Sequence, residues 1–258
     1  MQAQLVEVAR PGLAWPLFAP HSPGVGVPRY VAVQLLVVPT LIACLAWYCE
    51  YSGLDMLITR WFVDPASHGF VWRDSVLLEV LGHLAARGLP VMVGGIALCA
   101  GLAGFGVPPL RAWTPILLTT GAAIVVGPLA VNVLRGMTTQ HCPIDLQSFG
   151  GIVDYAANQA GPFWATTPQG AGHCLPSGHA AGGYALLSLY FAGWAAGQPS
   201  WRWRGLALGV GAGLVFSIVR IAQGAHFASA SLWSAAILWT TCAALFLPLL
   251  CRRAPTSA

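Results

Sequence analysis

Six apolar runs recur along the chain, at 30–47, 86–105, 113–134, 179–196, 206–219 and 232–250, parted by Pro, Gly and Arg. A helix needs about 20 apolar residues to cross a bilayer. In lipid every backbone N–H and C=O must be satisfied internally, which leaves helices and closed barrels as spanning forms. Runs of this length predict an all-α polytopic membrane protein, a six-transmembrane-helix bundle. The charge inventory agrees. Charged residues make up 8% of the 258 positions, against about 25% in a soluble domain, too few to clothe a water-facing surface. With 57% hydrophobic residues the chain is not of the disordered class either. The net charge of +4 is scattered over Arg with no Lys anywhere, and no basic run points to nucleic acid as a partner.

Orientation follows from the arginines. The N-terminus lacks a charged region followed by an apolar core, so no cleavable signal is expected and the first run serves as its own insertion signal. An even number of crossings puts both termini on one side. That side carries Arg10, Arg29, Arg111, Arg202, Arg204, Arg252 and Arg253; the other carries Arg60, Arg73, Arg87, Arg135 and Arg220. The bias favours cytoplasmic termini, with 1–28 as a cytoplasmic segment. Between the first two runs, 49–83 mixes Glu50, Asp55, Arg60, Asp64, Arg73, Asp74 and Glu79 with Trp and Phe, which predicts amphipathic helices at the interface. No repeat divides the chain, so 1–258 is read as one membrane-embedded domain, with 135–178 as a polar loop on the outer, periplasmic side. Trp47, Trp61, Trp72, Trp113, Trp201 and Trp203 fall near run ends, as interfacial belts do.

Three polar segments fall at run ends that this parity places on one membrane face: Arg135-GMTTQH-Cys142-Pro143-Ile144-Asp145, Cys174-Leu175-Pro176-Ser177-Gly178-His179, and Arg220-IAQGA-His226-Phe227-Ala228-Ser229. Together they supply the parts of a phosphate site. Arg135 and Arg220 are planar donors suited to bidentate contact. Ser177 is placed to cap a helix whose N-terminus offers free N–H groups to an anion. Gly178 lets backbone approach that anion without a Cβ. Two histidines complete a covalent acid–base scheme, one attacking phosphorus and the other protonating the leaving oxygen.

PSGH followed by Ala, with RxxxxxH downstream and a basic residue upstream, resembles the three-part signature of the type 2 phosphatidic acid phosphatase superfamily, whose soluble relatives include bacterial acid phosphatases and vanadium haloperoxidases. The resemblance covers about 135–230. It implies His226 as the nucleophile that becomes phosphohistidine and His179 as general acid and then base. It also implies Arg135, Arg220, Ser177 and the Gly178 N–H as ligands of the phosphoryl oxygens. It implies no metal and no cofactor. The sequence departs from the family pattern twice. Cys142-Pro143 stands where the first motif ends in Arg-Pro, and Ala230 stands where an Asp orients the nucleophilic imidazole. Loss of such an orienter costs roughly 10⁴-fold in the serine-protease case, so an acid restored at 230 is expected to raise turnover.

Cys142 and Cys174 are expected to pair, tying the first motif to the second in an oxidising compartment. Zinc on His141-Cys142 and His173-Cys174 is the lesser alternative, since adjacent pairs lack the usual ligand spacing. Asp145 and Asp154 are read as loop-structuring acids, and Gly182 and Gly183 as sites of close helix packing.

The function expected is an integral lipid phosphatase of a bacterial inner membrane. It would act at the periplasmic face on undecaprenyl diphosphate, phosphatidylglycerol phosphate, phosphatidic acid or lipid A, with a pocket open sideways to the bilayer. A phosphotransferase passing the same phosphohistidine to an acceptor hydroxyl is the close alternative. Because of Ala230, a non-catalytic lipid-phosphate binder or transporter is the alternative from another class. Oligomeric state is not encoded in any pattern found.

Overall fold

The computed structural model describes residues 26–155 and 170–251. The expectations for the N-terminal segment up to 25, for part of the polar loop and for Arg252 and Arg253 lie outside the described residues. The described chain is helical, with isolated bridges joining Val63 to Phe70 and Leu146 to Val153. Its elements are α1 (Val27–Tyr51), α2 (Leu54–Arg60), α3 (Val76–Ala103), α4 (Pro108–Arg111), α5 (Thr114–Gly136), α6 (Gly178–Tyr184), α7 (Ser188–Ala195), α8 (Pro199–Ala222) and α9 (Ala228–Leu250).

Among the described residues, five helices are long and apolar enough to cross a membrane: α1, α3, α5, α8 and α9. They fit a multi-pass membrane protein. The remaining expected crossing, 179–196, is built as α6 and α7 joined without a break by the 3-10 turn Ala185–Leu187. This run packs against α5, α8 and α9 and is buried along most of its length. Small residues allow that placement. A methyl group at Gly182 would collide with the Ala86 carbonyl of α3, and one at Gly183 with the α8 backbone at Ala212 and Gly213. Pro90 has no N–H to offer the Ala86 carbonyl four residues earlier, so that oxygen lacks its usual helical partner where Gly182 packs against it.

Around this central run lies the main core, including Tyr30, Tyr190, Phe191, Leu238, Trp239 and Phe246. Tyr30 Oη donates to the Ala243 carbonyl at 2.9 Å and Trp239 Nε1 to the Gln34 carbonyl at 3.1 Å, pinning α1 to α9. Leu36, Leu41, Val91, Ile96, Leu129 and Ile218 point outward, as lipid-facing residues do.

Two expected boundaries are corrected. The segment 49–83 holds one separate short helix rather than several. Its first part ends α1, its middle is the seven-residue α2 followed by turns, and its last part already belongs to α3. The turns have a local cause: Asp64 accepts from Ser67 Oγ at 2.7 Å and from the Ala66 and Ser67 N–H groups at 3.2 Å, a geometry that competes with helix. The stretch 198–205, which parts two of the apolar runs in sequence, forms the opening of α8, with Pro199 in its first turn. There the Arg202 guanidinium lies 3.9 Å from the Trp194 ring centroid and donates to Tyr190 Oη at 2.5 Å, while its Nε is buried without a hydrogen-bond partner among the described residues.

A second apolar cluster lies outside the bundle. Met56, Phe70, Leu146, Phe149, Val153 and Phe227 gather the α2 region and the loop after α5 over the ends of α8 and α9. This lid of loops is what buries the residues between α8 and α9.

Candidate active site

The first segment leaves the end of α5. Arg135 Nε donates to the His173 carbonyl at 2.9 Å, and the rest of its guanidinium reaches Gly178, where a Cβ would lie 3.3 Å from Arg135 Nη1 and from Asn132 Oδ1. Thr138 Oγ1 donates to the Leu175 carbonyl at 2.5 Å. The Cys174 N–H donates to the Gln140 carbonyl at 2.8 Å, and Cys142 and Cys174 form a disulfide with Cα atoms 5.2 Å apart. The two sulfurs are therefore bonded to each other rather than free to hold zinc. Asp145 organises this loop by accepting from the Cys142 N–H at 3.1 Å.

The second segment opens α6. Ser177 is its N-cap, Oγ accepting from the Ala180 N–H at 3.3 Å. The Ser177 N–H donates to the Ala230 carbonyl at 3.0 Å, and Ser234 Oγ donates to the Ser177 carbonyl at 2.8 Å. Position 230 thus serves the site through its backbone.

The third segment brings Arg220 and His226. Arg220 Nη1 donates to Gln223 Oε1 at 2.8 Å, and Gly82 of α3 leaves room for its side chain. His226, fully enclosed between α8 and α9, places Nδ1 3.0 Å from the Cys174 carbonyl. Burial pushes its pKa down to about 3; the Cys174 contact opposes this, and the charges of Arg220 and Arg135 add to it. The imidazole is accordingly neutral over the ordinary pH range.

His179 and His226 face each other with ring centroids 6.0 Å apart. Both nitrogens of His179, and Arg220 Nε, are buried without a hydrogen-bond partner among the described residues. Buried polar atoms are normally satisfied, so donors and acceptors left open around one small space are the mark of a place a polar ligand completes. The structure therefore gathers His179, Gly178 and Arg135 at one point, with His226 opposite and Arg220 behind; Ser177 lies in the same turn, its oxygen engaged as a cap.

Four residues of this neighbourhood were not singled out from sequence. Glu79, His83 and Arg87 lie on one face of α3 at successive i, i+4 positions. His83 Nδ1 is 2.7 Å from Glu79 Oε1, and its ring meets His179 edge-on at 4.6 Å. The spacing E-x₃-H-x₃-R was the available signal. The fourth is Asp55, which accepts from the Ser229 N–H at 2.9 Å and from Ser229 Oγ, capping α9 from outside the helix. Burial raises the Asp55 pKa to about 6, against the lowering effect of the Ser229 hydrogen bonds.

A cavity of about 560 Å³ leads away from the site. Arg87, Asn132, Arg135, Gly178 and His179 line its polar end. Val91, Gly94, Gly95, Leu98, Ile124 and Val125 continue it along α3 and α5. Val91 and Val125 are also among the outward-facing residues, so this wall is shared with the outer surface of the bundle.

Fold and site together define a helical membrane protein with a His- and Arg-lined pocket at its helix ends. The PAP2 superfamily model matches residues 115–250, more than half of the chain, and the chain belongs to that superfamily. The superfamily generally comprises phosphatases, which makes a phosphoester hydrolase the coarse activity class. No curated protein and no solved structure matches the chain.

Proposed function

We propose that the protein is a lipid phosphatase acting at the periplasmic face of a bacterial inner membrane, with six crossings and cytoplasmic termini. Neutral His226 attacks phosphorus through Nε2, the phosphoester P–O bond breaks, and His179 gives its proton to the departing oxygen. Water then attacks the phosphohistidine, His179 takes the water's proton, and inorganic phosphate leaves. Arg135, Arg220, the Gly178 N–H and the Ser177 hydroxyl proton meet the charge on the equatorial oxygens, a preorganised arrangement that favours the transition state. The acyl or prenyl chain lies in the apolar length of the cavity beside α3 and α5. Undecaprenyl diphosphate, phosphatidylglycerol phosphate, phosphatidic acid and lipid A are the substrate candidates.

One observation carries this reading: His179 and His226 meet at 6.0 Å beside the Arg135 guanidinium, with the His179 nitrogens left unpartnered. The test is phosphate release from those four lipids in detergent, with vanadate as competitor and His226→Ala as control. Release that vanadate inhibits, and that the alanine variant lacks, is the expected result. A variant as active as the parent removes His226 as nucleophile. Transfer of phosphate to an added lipid acceptor, without inorganic phosphate, selects the phosphotransferase instead.

A further inference from the structure

We infer that the backbone carbonyl of Cys174 is the orienting group of the His226 imidazole, and that the Cys142–Cys174 disulfide keeps it in place, so that turnover depends on the thiol redox state. The inference rests on His226 being the nucleophile of the proposed phosphatase. Cys174 is a positioning residue here; it touches the imidazole and not the substrate.

A neutral imidazole attacks through the nitrogen that carries no proton, and the hydrogen bond made by the other nitrogen decides which one that is. A carbonyl oxygen only accepts. The 3.0 Å contact therefore puts the proton on His226 Nδ1 and leaves the Nε2 lone pair for phosphorus. Elsewhere an acid four residues on would do the same. In this chain that position is Ala230, whose own carbonyl accepts from the Ser177 N–H. The orienting task has moved to a main-chain oxygen on another segment.

That oxygen is held from several sides. Residue 174 is tied through its N–H to Gln140 and through sulfur to Cys142. The Cys142 loop is tied in turn to the turn before His226, where the Ile144 N–H donates to the Gly224 carbonyl at 3.0 Å. The disulfide is thus the covalent link of a ring that runs from His226 through Cys174 and Cys142 to Gly224 and back. Cys174 sulfur itself lies 3.6 Å from His226 Nδ1. When a dithiol transfers two electrons and two protons, the S–S bond breaks, two Cys thiols form and the dithiol closes to its own disulfide. The neighbouring hydrogen bonds at Thr138 and Ser177 remain. The Cys174 carbonyl then loosens, and Nδ1–H is no longer the single favoured tautomer.

The experiment uses the whole protein in detergent, oxidised, after dithiothreitol, and after removal of the reductant and reoxidation. Phosphate release from the same lipid panel is measured in each state. Imidazole ¹⁵N shifts of His-labelled protein report the tautomer, with His226→Ala assigning the signal. Reduction is expected to lower kcat by roughly 10- to 100-fold, by analogy with loss of the partner that orients a metal-bound histidine. KM should stay nearly unchanged, activity should return on reoxidation, and the Nδ1–H signal of the oxidised protein should give way to a mixture. Equal kcat in both states overturns the inference, as does an Nε2–H tautomer in the oxidised protein or a tautomer that reduction does not move. If the oxidised protein releases no phosphate from any lipid, the phosphatase reading fails, and the ¹⁵N comparison alone decides the role of Cys174.

Discussion

Two buried ionisable groups, His226 and the Asp55 that holds Ser229 three residues further on, pull the acid stability of this protein in opposite directions. His226 titrates near 3 when folded, below the usual value of about 6.5, so its contribution is present at neutral pH and is lost as the pH falls through that window. Asp55 titrates near 6 when folded, above its usual value of about 3.9. Its contribution is therefore present in acid and is lost as the pH rises through 6. Asp55→Asn keeps an acceptor for Ser229 and removes the titration. Melting curves in detergent should show the variant gaining on the parent as the pH rises from 4 to 7; parallel curves would refute the assigned shift. Position 230 gives a second expectation. Because the Cys174 carbonyl already holds Nδ1–H, and because a carboxylate at this closed position would be desolvated, Ala230→Asp should not raise turnover of the oxidised protein. That reverses the expectation from sequence, where a missing side chain was visible and a compensating main-chain oxygen was not. Side-chain motifs such as Pro176-Ser177-Gly178-His179 can be read from residue order. A carbonyl contact between residues 52 apart depends on how two loops close.

Helix α3 is the element whose role was least legible. Its first turns carry Glu79 and His83, in a sequence stretch that reads as interfacial, and Arg87 at the start of the next apolar run, because charges at a span end look the same whether they face water or a pocket. Beyond them the helix becomes one wall of the apolar cavity. Gly95 lies on that wall with open space where a Cβ would be. Gly95→Leu should fill the cavity, raise KM for a long-chain lipid phosphate severalfold, and leave hydrolysis of a short, water-soluble phosphoester unchanged; equal effects on both would show that the chain does not lie there. Gly182 has the opposite surroundings. Gly182→Ala meets the Ala86 carbonyl and should destabilise the protein by ~1–3 kcal/mol, as overpacked core sites do, read as a lowered melting temperature. The apolar runs themselves were legible because their length alone satisfies the bilayer. The continuation of α3 and α8 past the predicted ends was not, because a polar helix turn carries no apolar signal.

At the scale of the molecule, the proposed topology has a direct check. Ile152 lies in the loop after α5, Gly106 before α5 and Ser200 at the start of α8, all exposed. In intact cells a membrane-impermeant maleimide should label Ile152→Cys and spare Gly106→Cys and Ser200→Cys. Labelling of Ser200→Cys would mean that the α6–α7 run does not cross, and the six-span proposal would fail. The course of the cavity has a kinetic corollary. Its apolar wall between α3 and α5 borders the outward-facing surface rather than the aqueous end of the bundle, so on the proposed reading a substrate arrives by lateral diffusion within the leaflet. The encounter rate is then governed by crowding in two dimensions. Diluting the substrate with inert detergent at constant bulk molarity should slow the reaction, and adding buffer at constant micelle composition should not.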